Sequence, residues 1–426
     1  MNGAKKSLKE NFILLYGVHF SIYLLPLFLV PYLARILGES SWGEVLFAQS
    51  IAIYIALIIE FGFGISGTKN ISVNRSNMEK IASIFSNIIS CQILIALSLI
   101  LIFITILLFI KPTGNLNIYY SSLIMGVFQG LIPLWFFRGL EEMRSVAFLQ
   151  ITSKILAVIL IILLVKESSD NWIVIACFAF SNFVSYVLSI VYTINNFNIH
   201  SIKIKKVKRM FIEGLNLFWV RAGATLFTEG NIIVVGLFMS NQIVGNFGSA
   251  LKIINAAKAL LNPAGDVLFP RISNLVKNQH DNSLSLIKKS LIGMSLIGII
   301  LSLLFYIGSE VIVSALLGED YIQSSLHLKI LSPLLIIVAL SLVLGSQWLI
   351  SHNYEKIFSR IILICGLVNI LVSYSIAYNG LTIYLVSFNI VFSQLVILGC
   401  FIIAIMKYRL NPFSTKFNKQ FIDNHA

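Results

Sequence analysis

An all-α, polytopic membrane fold with about twelve transmembrane helices follows from three observations on the sequence. Of its 426 residues 58% are hydrophobic and 12% are charged, with a mean hydropathy of +0.90. Soluble domains carry about a quarter charged residues and cannot bury that much apolar surface. The charges are bunched between long apolar runs, as in helices threaded by short loops. Those runs are too long and too continuously apolar for barrel strands, and open strands would leave edge N–H and C=O groups unsatisfied in lipid.

Lys5, Lys6 and Lys9 precede the first apolar stretch, which is too long for a signal h-region and lacks a small-residue cleavage site, so it is expected to stay as the first helix. The predicted spans are 12–33, 43–65, 84–110, 117–137, 146–165, 172–194, 216–238, 243–262, 290–308, 326–350, 357–377 and 380–405. Each is long enough to cross about 30 Å of hydrocarbon as a helix. Cys91, Cys177, Cys365 and Cys400 each fall inside an apolar run without metal-ligand spacing and read as small buried residues.

Basic residues orient the chain. One set of alternate segments holds Lys5, Lys6 and Lys9; Lys69, Arg75 and Lys80; Arg138 and Arg144; Lys203, Lys205, Lys206, Lys208 and Arg209; Arg271, Lys277, Lys288 and Lys289; Lys356 and Arg360; and Lys407, Arg409, Lys416 and Lys419. The other set has little beyond Arg35, Lys111, Lys166 and Lys329. This asymmetry predicts an even number of spans with both termini in the cytoplasm, and it accounts for a formal charge of +13 without nucleic acid.

A weak internal repeat accompanies it. A shift of 202 positions lays Gly43 on Gly245, Ala48 on Ala250, Lys69 on Arg271 and Arg75 on Lys277. An even number of helices per half gives both copies one orientation, the parallel type of transporter repeat. The expected organisation is an N-terminal six-helix lobe over 1–200, a cytoplasmic linker over 201–213 and a C-terminal six-helix lobe with a cytoplasmic tail over 214–426. The linker alternates apolar and basic residues, which suits either a surface-lying amphipathic segment or a solvated loop.

Charges inside spans are costly unless they meet a partner or a wet cavity. Arg221, Thr225, Thr228 and Glu229 recur at helical spacing in span seven, and Lys252, Asn255, Ala259, Asn262 and Asp266 do so from span eight onward. The first half offers His19, which the repeat places opposite Arg221, together with Glu60 and Lys154. Arg221, Lys252 and Lys258 could present positive charge to a pyrophosphate passing between the halves, since guanidinium and ammonium groups both bind phosphate oxygens. The bland alternative is that Glu229 forms closed ion pairs with Arg221 or Lys252, that Lys258 snorkels, and that His19 is a packing residue.

No catalytic or metal-binding residues are expected. The chain lacks a phosphate-cradling Gly-rich loop, a Gly-x-Ser-x-Gly elbow, metal-spaced His pairs and a large soluble domain. It reads as no enzyme and as needing no cofactor, with transport driven by an ion gradient (H+ or Na+) or by the substrate's own gradient.

The junction of spans one and two runs Pro31, Tyr32, Leu33, Ala34, Arg35, Ile36, Leu37, Gly38, then Trp42, Gly43, Phe47 and Ala48. Further on stand Glu60, Phe61, Gly62 and Phe63 with Ser66, Gly67, Thr68 and Lys69; Pro133 to Glu141; and Leu268, Phe269, Pro270, Arg271, Ile272 and Ser273. With these motifs the chain resembles the Wzx polysaccharide flippases of the MOP superfamily, from its first span through its eighth. Later spans resemble that family in hydropathy and in residues such as Gly345, Gln347, Gly366 and Asn369. Two departures are Arg138, where the family often has Gln, and the acidic Asp266 just before the Leu268 motif.

The resemblance implies a bacterial inner-membrane protein of two six-helix lobes around a cationic cavity. It implies export of an undecaprenyl-pyrophosphate-linked oligosaccharide, an O-antigen or other surface-polysaccharide repeat unit, to the outer leaflet. A polysaccharide polymerase and a chain-length regulator would be its partners. The substrate pathway would then use Arg221, Lys252, Lys258, His19 and Lys154, with Glu60, Glu229 and Asp266 as acidic partners or ion-coupling groups.

Rival readings make different demands. A multidrug or cation antiporter of the same superfamily needs an acidic pocket in its first half, where Glu60 is the carboxylate on offer. A peptidoglycan-precursor flippase usually carries extra helices, for which this length leaves no room. A polysaccharide polymerase or glycosyltransferase needs large outer loops, whereas the longest here are near 111–117, 166–171 and 309–326.

Overall fold

The computed structural model describes residues 8–110, 115–197, 225–278 and 280–408, with isolated positions between 211 and 223 and at 410 and 412; the side chains of 8–27 and of several later residues lie outside the description. The described residues form helices and turns, with no strand among them. Nine helices among them are long and apolar enough to cross a membrane. The chain divides into two compact units, Met1–Ser249 with Leu316–Tyr321, and Ala250–Ala315 with Ile322–Ala426.

The first unit is built on α1 (Leu8–Glu60), which breaks at Gly38. There φ is 72° and ψ 170°, a combination open essentially to glycine alone. No atom would meet a Cβ at this position, so the requirement for glycine is conformational. The break separates the two predicted spans that share the helix. Tyr32, on the first limb, donates to Val165 O at 2.8 Å.

Helices α2 (Phe63–Val73), α3 (Met78–Ile110), α4 (Leu116–Leu131), α5 (Leu134–Gly139), α6 (Met143–Leu164) and α7 (Asn171–Asn196) follow. Helix α4 lies against the second limb of α1 because glycines permit it: Gly126 faces Ala52 O and Ile55, and Gly130 faces Ile59 and Ala56 O. Helices α6 and α7 are joined by Ser153 Oγ, 3.1 Å from Asn182 Oδ1, and by Ser185 Oγ donating to Leu149 O at 3.1 Å.

Spans two and four are each interrupted. Phe61 and Gly62 take positive φ values of 41° and 76° between α1 and α2, and Phe61 is stacked on Phe211 and Phe218. Pro133 separates α4 from α5. The two stubs brace each other: Gly67 lies under the Trp135 ring, Gly139 under Ile71, and Thr68 Oγ1 donates to Trp135 O at 3.1 Å. Arg75 adds a bond to Gly139 O at 2.7 Å and an ion pair to Glu141 at 2.8 Å.

The first unit continues through a π-helical turn, Leu226–Gly230, and α8 (Asn231–Phe238) into α9 (Asn241–Ala259), whose later residues enter the second unit. Three expectations change here. Span eight, predicted to reach 262, ends as a helix at Ala259, and a turn at Leu260 and Leu261 precedes α10 (Asn262–Asn278). The segment expected as a cytoplasmic loop after span eight is α10 itself, with Pro270 inside it, leading into α11 (His280–Ile307). Its charges mask an amphipathic pattern in which Ile272 is buried while Arg271 and Asn274 are exposed. The outer loop expected over 309–326 contains α12 (Ser309–Leu316) and a 3₁₀ turn, Glu319–Tyr321, whose Tyr321 hydroxyl donates to Ala34 O at 3.0 Å.

The second unit contains α13 (Ile322–Leu331), α14 (Leu334–Ser341), a π-helical segment Leu342–Leu349, α15 (Glu355–Tyr378) and α16 (Tyr384–Lys407). Its interior is stitched by neutral polar groups. Asn389 Nδ2 donates to Asn369 O and Ser373 Oγ, both at 2.9 Å, Asn369 Nδ2 to Ser393 Oγ at 3.1 Å, and His327 Nδ1 meets Ser387 Oγ at 2.8 Å. Gly345 makes room for the stacked rings of Phe358 and Phe401.

Candidate functional site

The predicted site residues are distributed over both units. Arg221 lies outside the described residues. His19 and Asp266 fall within α1 and α10, but their side chains lie outside the description. Lys154, Glu60 and Glu229 belong to the first unit, and Lys252 and Lys258 to the second.

Lys154 is half-buried on α6, where its ammonium lies 5.6 Å from the centroid of the Phe178 ring on α7. A desolvated ammonium over an aromatic face is attracted by the ring quadrupole. Glu60 ends α1 immediately before the Phe61–Gly62 break, is half-buried and is engaged by a neighbour. Glu229 sits in the π-helical turn, a distortion that often accompanies functional positions. Its Oε2 lies 3.0 Å from the Oγ of fully buried Ser50, which is also 3.0 Å from Leu46 O, so one hydroxyl proton serves two acceptors.

Lys252 and Lys258 are both half-buried on α9, and Lys252 is engaged by a neighbour. At 3.6 residues per turn, six positions turn the helix by about 600°, so Lys258 stands about 120° from Lys252 around it. Lys252 shares its face with Asn255, whereas Lys258 occupies the last turn, where a cation also meets the negative end of the helix dipole. The turn at Leu260 and Leu261 interrupts the polar stripe predicted to run on to Asp266.

A denser polar constellation escaped the sequence reading. Glu44, on the second limb of α1, accepts from Asn241 Nδ2 through Oε1 and from Asn171 Nδ2 through Oε2, each at 2.6 Å. Glu39 Oε2 accepts from Gln242 Nε2, and Trp42 Nε1 donates to Ser249 Oγ at 2.9 Å. The carboxylates of the first half therefore include Glu44, inside predicted span two, besides Glu60. Its partners are 127 and 197 residues away, so their neutral amides gave no signal in sequence. Among the described residues no group of three or more His, Cys, Asp or Glu could hold a metal ion. An apolar groove of about 580 Å³ in the second unit, lined by Leu291, Leu296, Leu340, Leu344, Ile402 and Met406, has walls suited to hydrocarbon rather than to sugar.

Two relatives share the name "Putative O-antigen transporter". The one from Escherichia coli (strain K12) is 33% identical over 377 residues, 87% of this chain and 90% of the relative; the one from Shigella dysenteriae is 27% identical over 376 residues, 87% and 93%. Among solved structures, the lipid II flippase MurJ in an inward closed conformation aligns with a TM-score of 0.73 at 15% identity, covering 93% of this chain and 87% of that one. An inward-facing multidrug resistance MATE family transporter of the MOP superfamily aligns with a TM-score of 0.62 at 12% identity, covering 96% and 99%. These likenesses show the fold: an all-α, multi-pass membrane protein of the transporter type. Residues 8–276 match the model of the family described as polysaccharide biosynthesis protein, and the chain belongs to that family.

Proposed function

We propose that this chain is a flippase that carries an undecaprenyl-pyrophosphate-linked oligosaccharide, an O-antigen or other surface-polysaccharide unit, from the cytoplasmic to the outer leaflet of the bacterial inner membrane by alternating access. The observation that carries the reading is the set of ammonium groups, Lys154, Lys252 and Lys258, held half-buried on helices of a chain whose 33% identical relative bears an O-antigen transporter name. A charge at membrane depth costs a few kcal/mol unless it meets a partner or a wet path. A pyrophosphate head crossing hydrocarbon unaided pays the same kind of penalty, which fixed cations offset. The isoprenoid tail stays in lipid while the head passes.

In this reading the lobes are 1–200 and 214–426, joined by 201–213, with both termini in the cytoplasm. Arg221, Lys252, Lys258, His19 and Lys154 line the substrate path. Glu60, Glu229 and Asp266 pair with them or couple transport to an ion gradient, and a polymerase and chain-length regulator act with the flippase.

Reconstitution in liposomes tests the proposal directly. Lipid-linked pyrophosphoryl sugar should appear in the opposite leaflet chemically unchanged, and Lys252→Gln should slow its movement at least tenfold without loss of folded protein. Turnover to a longer glycan, or wild-type rates from Lys252→Gln and Arg221→Gln alike, would overturn it.

A further inference from the structure

The second limb of α1 and the first half of α9 cross in a reciprocal way. A Cβ on Gly43 would collide with Asn241 O, and a Cβ on Gly245 would collide with Glu39 O. Each glycine thus receives the carbonyl four residues before the other. The 202-position shift that maps Gly43 onto Gly245 also maps Glu39 onto Asn241, so the crossing has the form of a local two-fold. Leu46 packs on Gly248 and Phe47 on Gly236 beside it.

Around this close approach the helices are held by carboxylate–amide bonds. Glu44 joins three helices, accepting from Asn171 of α7 and Asn241 of α9 while standing on α1; Glu39 accepts from Gln242. The groups facing Glu44 are these two neutral amides and, from α4, the titratable Tyr119; Tyr321 faces Glu39. An ionised carboxylate accepts at both oxygens, whereas a protonated one carries an O–H donor. With an N–H aimed at each oxygen, one proton on Glu44 faces a donor, so that amide must turn over or move away, and the hold on α7 or α9 weakens.

We propose that the Gly43–Gly245 crossing is a gate at the Gly38 end of the first unit, latched by ionised Glu44 and opened when that carboxylate takes up a proton. The closure suits a gate. Its helices meet backbone to glycine at the crossing point itself, and the polar bonds around that point exchange readily with water once parted. The inference rests on the transport reading, since a transporter must part its helices at one face while closing the other. It goes beyond that reading in naming the closure and the ion that releases it.

Spin labels on Ser40→Cys and Ser240→Cys, both exposed and on opposite sides of the crossing, report its width in full-length protein in nanodiscs, with the four native cysteines replaced. Pulsed EPR should show a longer distance component at pH 5 than at pH 8. Glu44→Gln should show that component at both values. Asn241→Ala, which breaks the same bond without altering a titratable group, should do likewise and keeps the test alive if Glu44→Gln fails to fold. Distances unchanged between pH 5 and pH 8, or an Asn241→Ala distribution matching the parent, would overturn the gate. The measurement needs no substrate, so it separates from the flippase reading: failed sugar-lipid movement with an acid-opened crossing removes the substrate alone, and normal movement with a pH-blind crossing removes the gate alone.

Discussion

Replacing Gly126 by alanine should weaken the first unit, while the same replacement at Gly293 should strengthen the second. At Gly126 the new Cβ would lie 2.6 Å from Ala52 O and 2.7 Å from Ile55 Cβ. Neither neighbour can rotate away, because one is backbone and the other a β-carbon. Restoring ordinary contact at 3.4 Å requires α1 and α4 to part by about 0.8 Å. Overpacking of this kind costs about 1–3 kcal/mol, and the better helix propensity of alanine offsets up to about 1 kcal/mol. The net expectation is a loss of about 1–2 kcal/mol. At Gly293, on α11, nothing lies within 4 Å of the new methyl, so the propensity gain of about 0.5–1 kcal/mol stands alone. Thermal unfolding in detergent, followed with a dye that fluoresces on reacting with newly exposed thiols, reads both, because Cys91, Cys177 and Cys365 are buried when folded. A Gly126→Ala melting temperature equal to or above the parent's, or a Gly293→Ala value lowered as far as Gly126→Ala, would refute the packing argument.

Gly38→Ala should cost about 1–3 kcal/mol although its surroundings are empty, since φ 72° with ψ 170° strains any residue bearing a Cβ; the same thermal assay checks it. Gly345→Ala should force apart Phe358 and Phe401, whose ring atoms would lie 2.8 and 2.6 Å from the new methyl, with a loss of about 1–3 kcal/mol and a lower melting temperature. Asn389→Leu removes donors from Asn369 O and Ser373 Oγ and should destabilise by about 1–3 kcal/mol, measured by urea titration. Phe178→Leu should reduce sugar-lipid transport more than it reduces stability if Lys154 lies on the path, since the ring positions that ammonium.

Much of the fold could be read from sequence because lipid imposes one rule along most of the chain: long apolar runs are helices. That rule weakens where charge density rises. Beyond predicted span eight, Asp266, Arg271 and Lys277 hide the apolar face carried by Ile272, so the helix over Asn262–Asn278 shows no long apolar run. Of the two breaks within spans, one falls at Pro133, whose ring disfavours a helix interior, while Phe61 takes a positive φ against the habit of its type. Of the candidate site, the ammonium groups announced themselves by their cost in hydrocarbon. Glu44 did not, standing in the first turn of its predicted span with partners supplied by α7 and α9. Asn171 and Asn241 are uncharged, common at helix starts and far away along the chain, so only the folded structure joins them.

The brace between the two interrupted spans has a consequence for inheritance. Gly67 and Trp135 occupy one shared volume, with no space left for a methyl between them. A larger residue at 67 and a smaller one at 135 should therefore each be harmful alone and tolerated together. A suppressor screen starting from Gly67→Ala ought to return substitutions at 135 before any elsewhere, making the two codons a genetically linked pair despite the 67 residues that separate the neighbouring Thr68 from the same tryptophan.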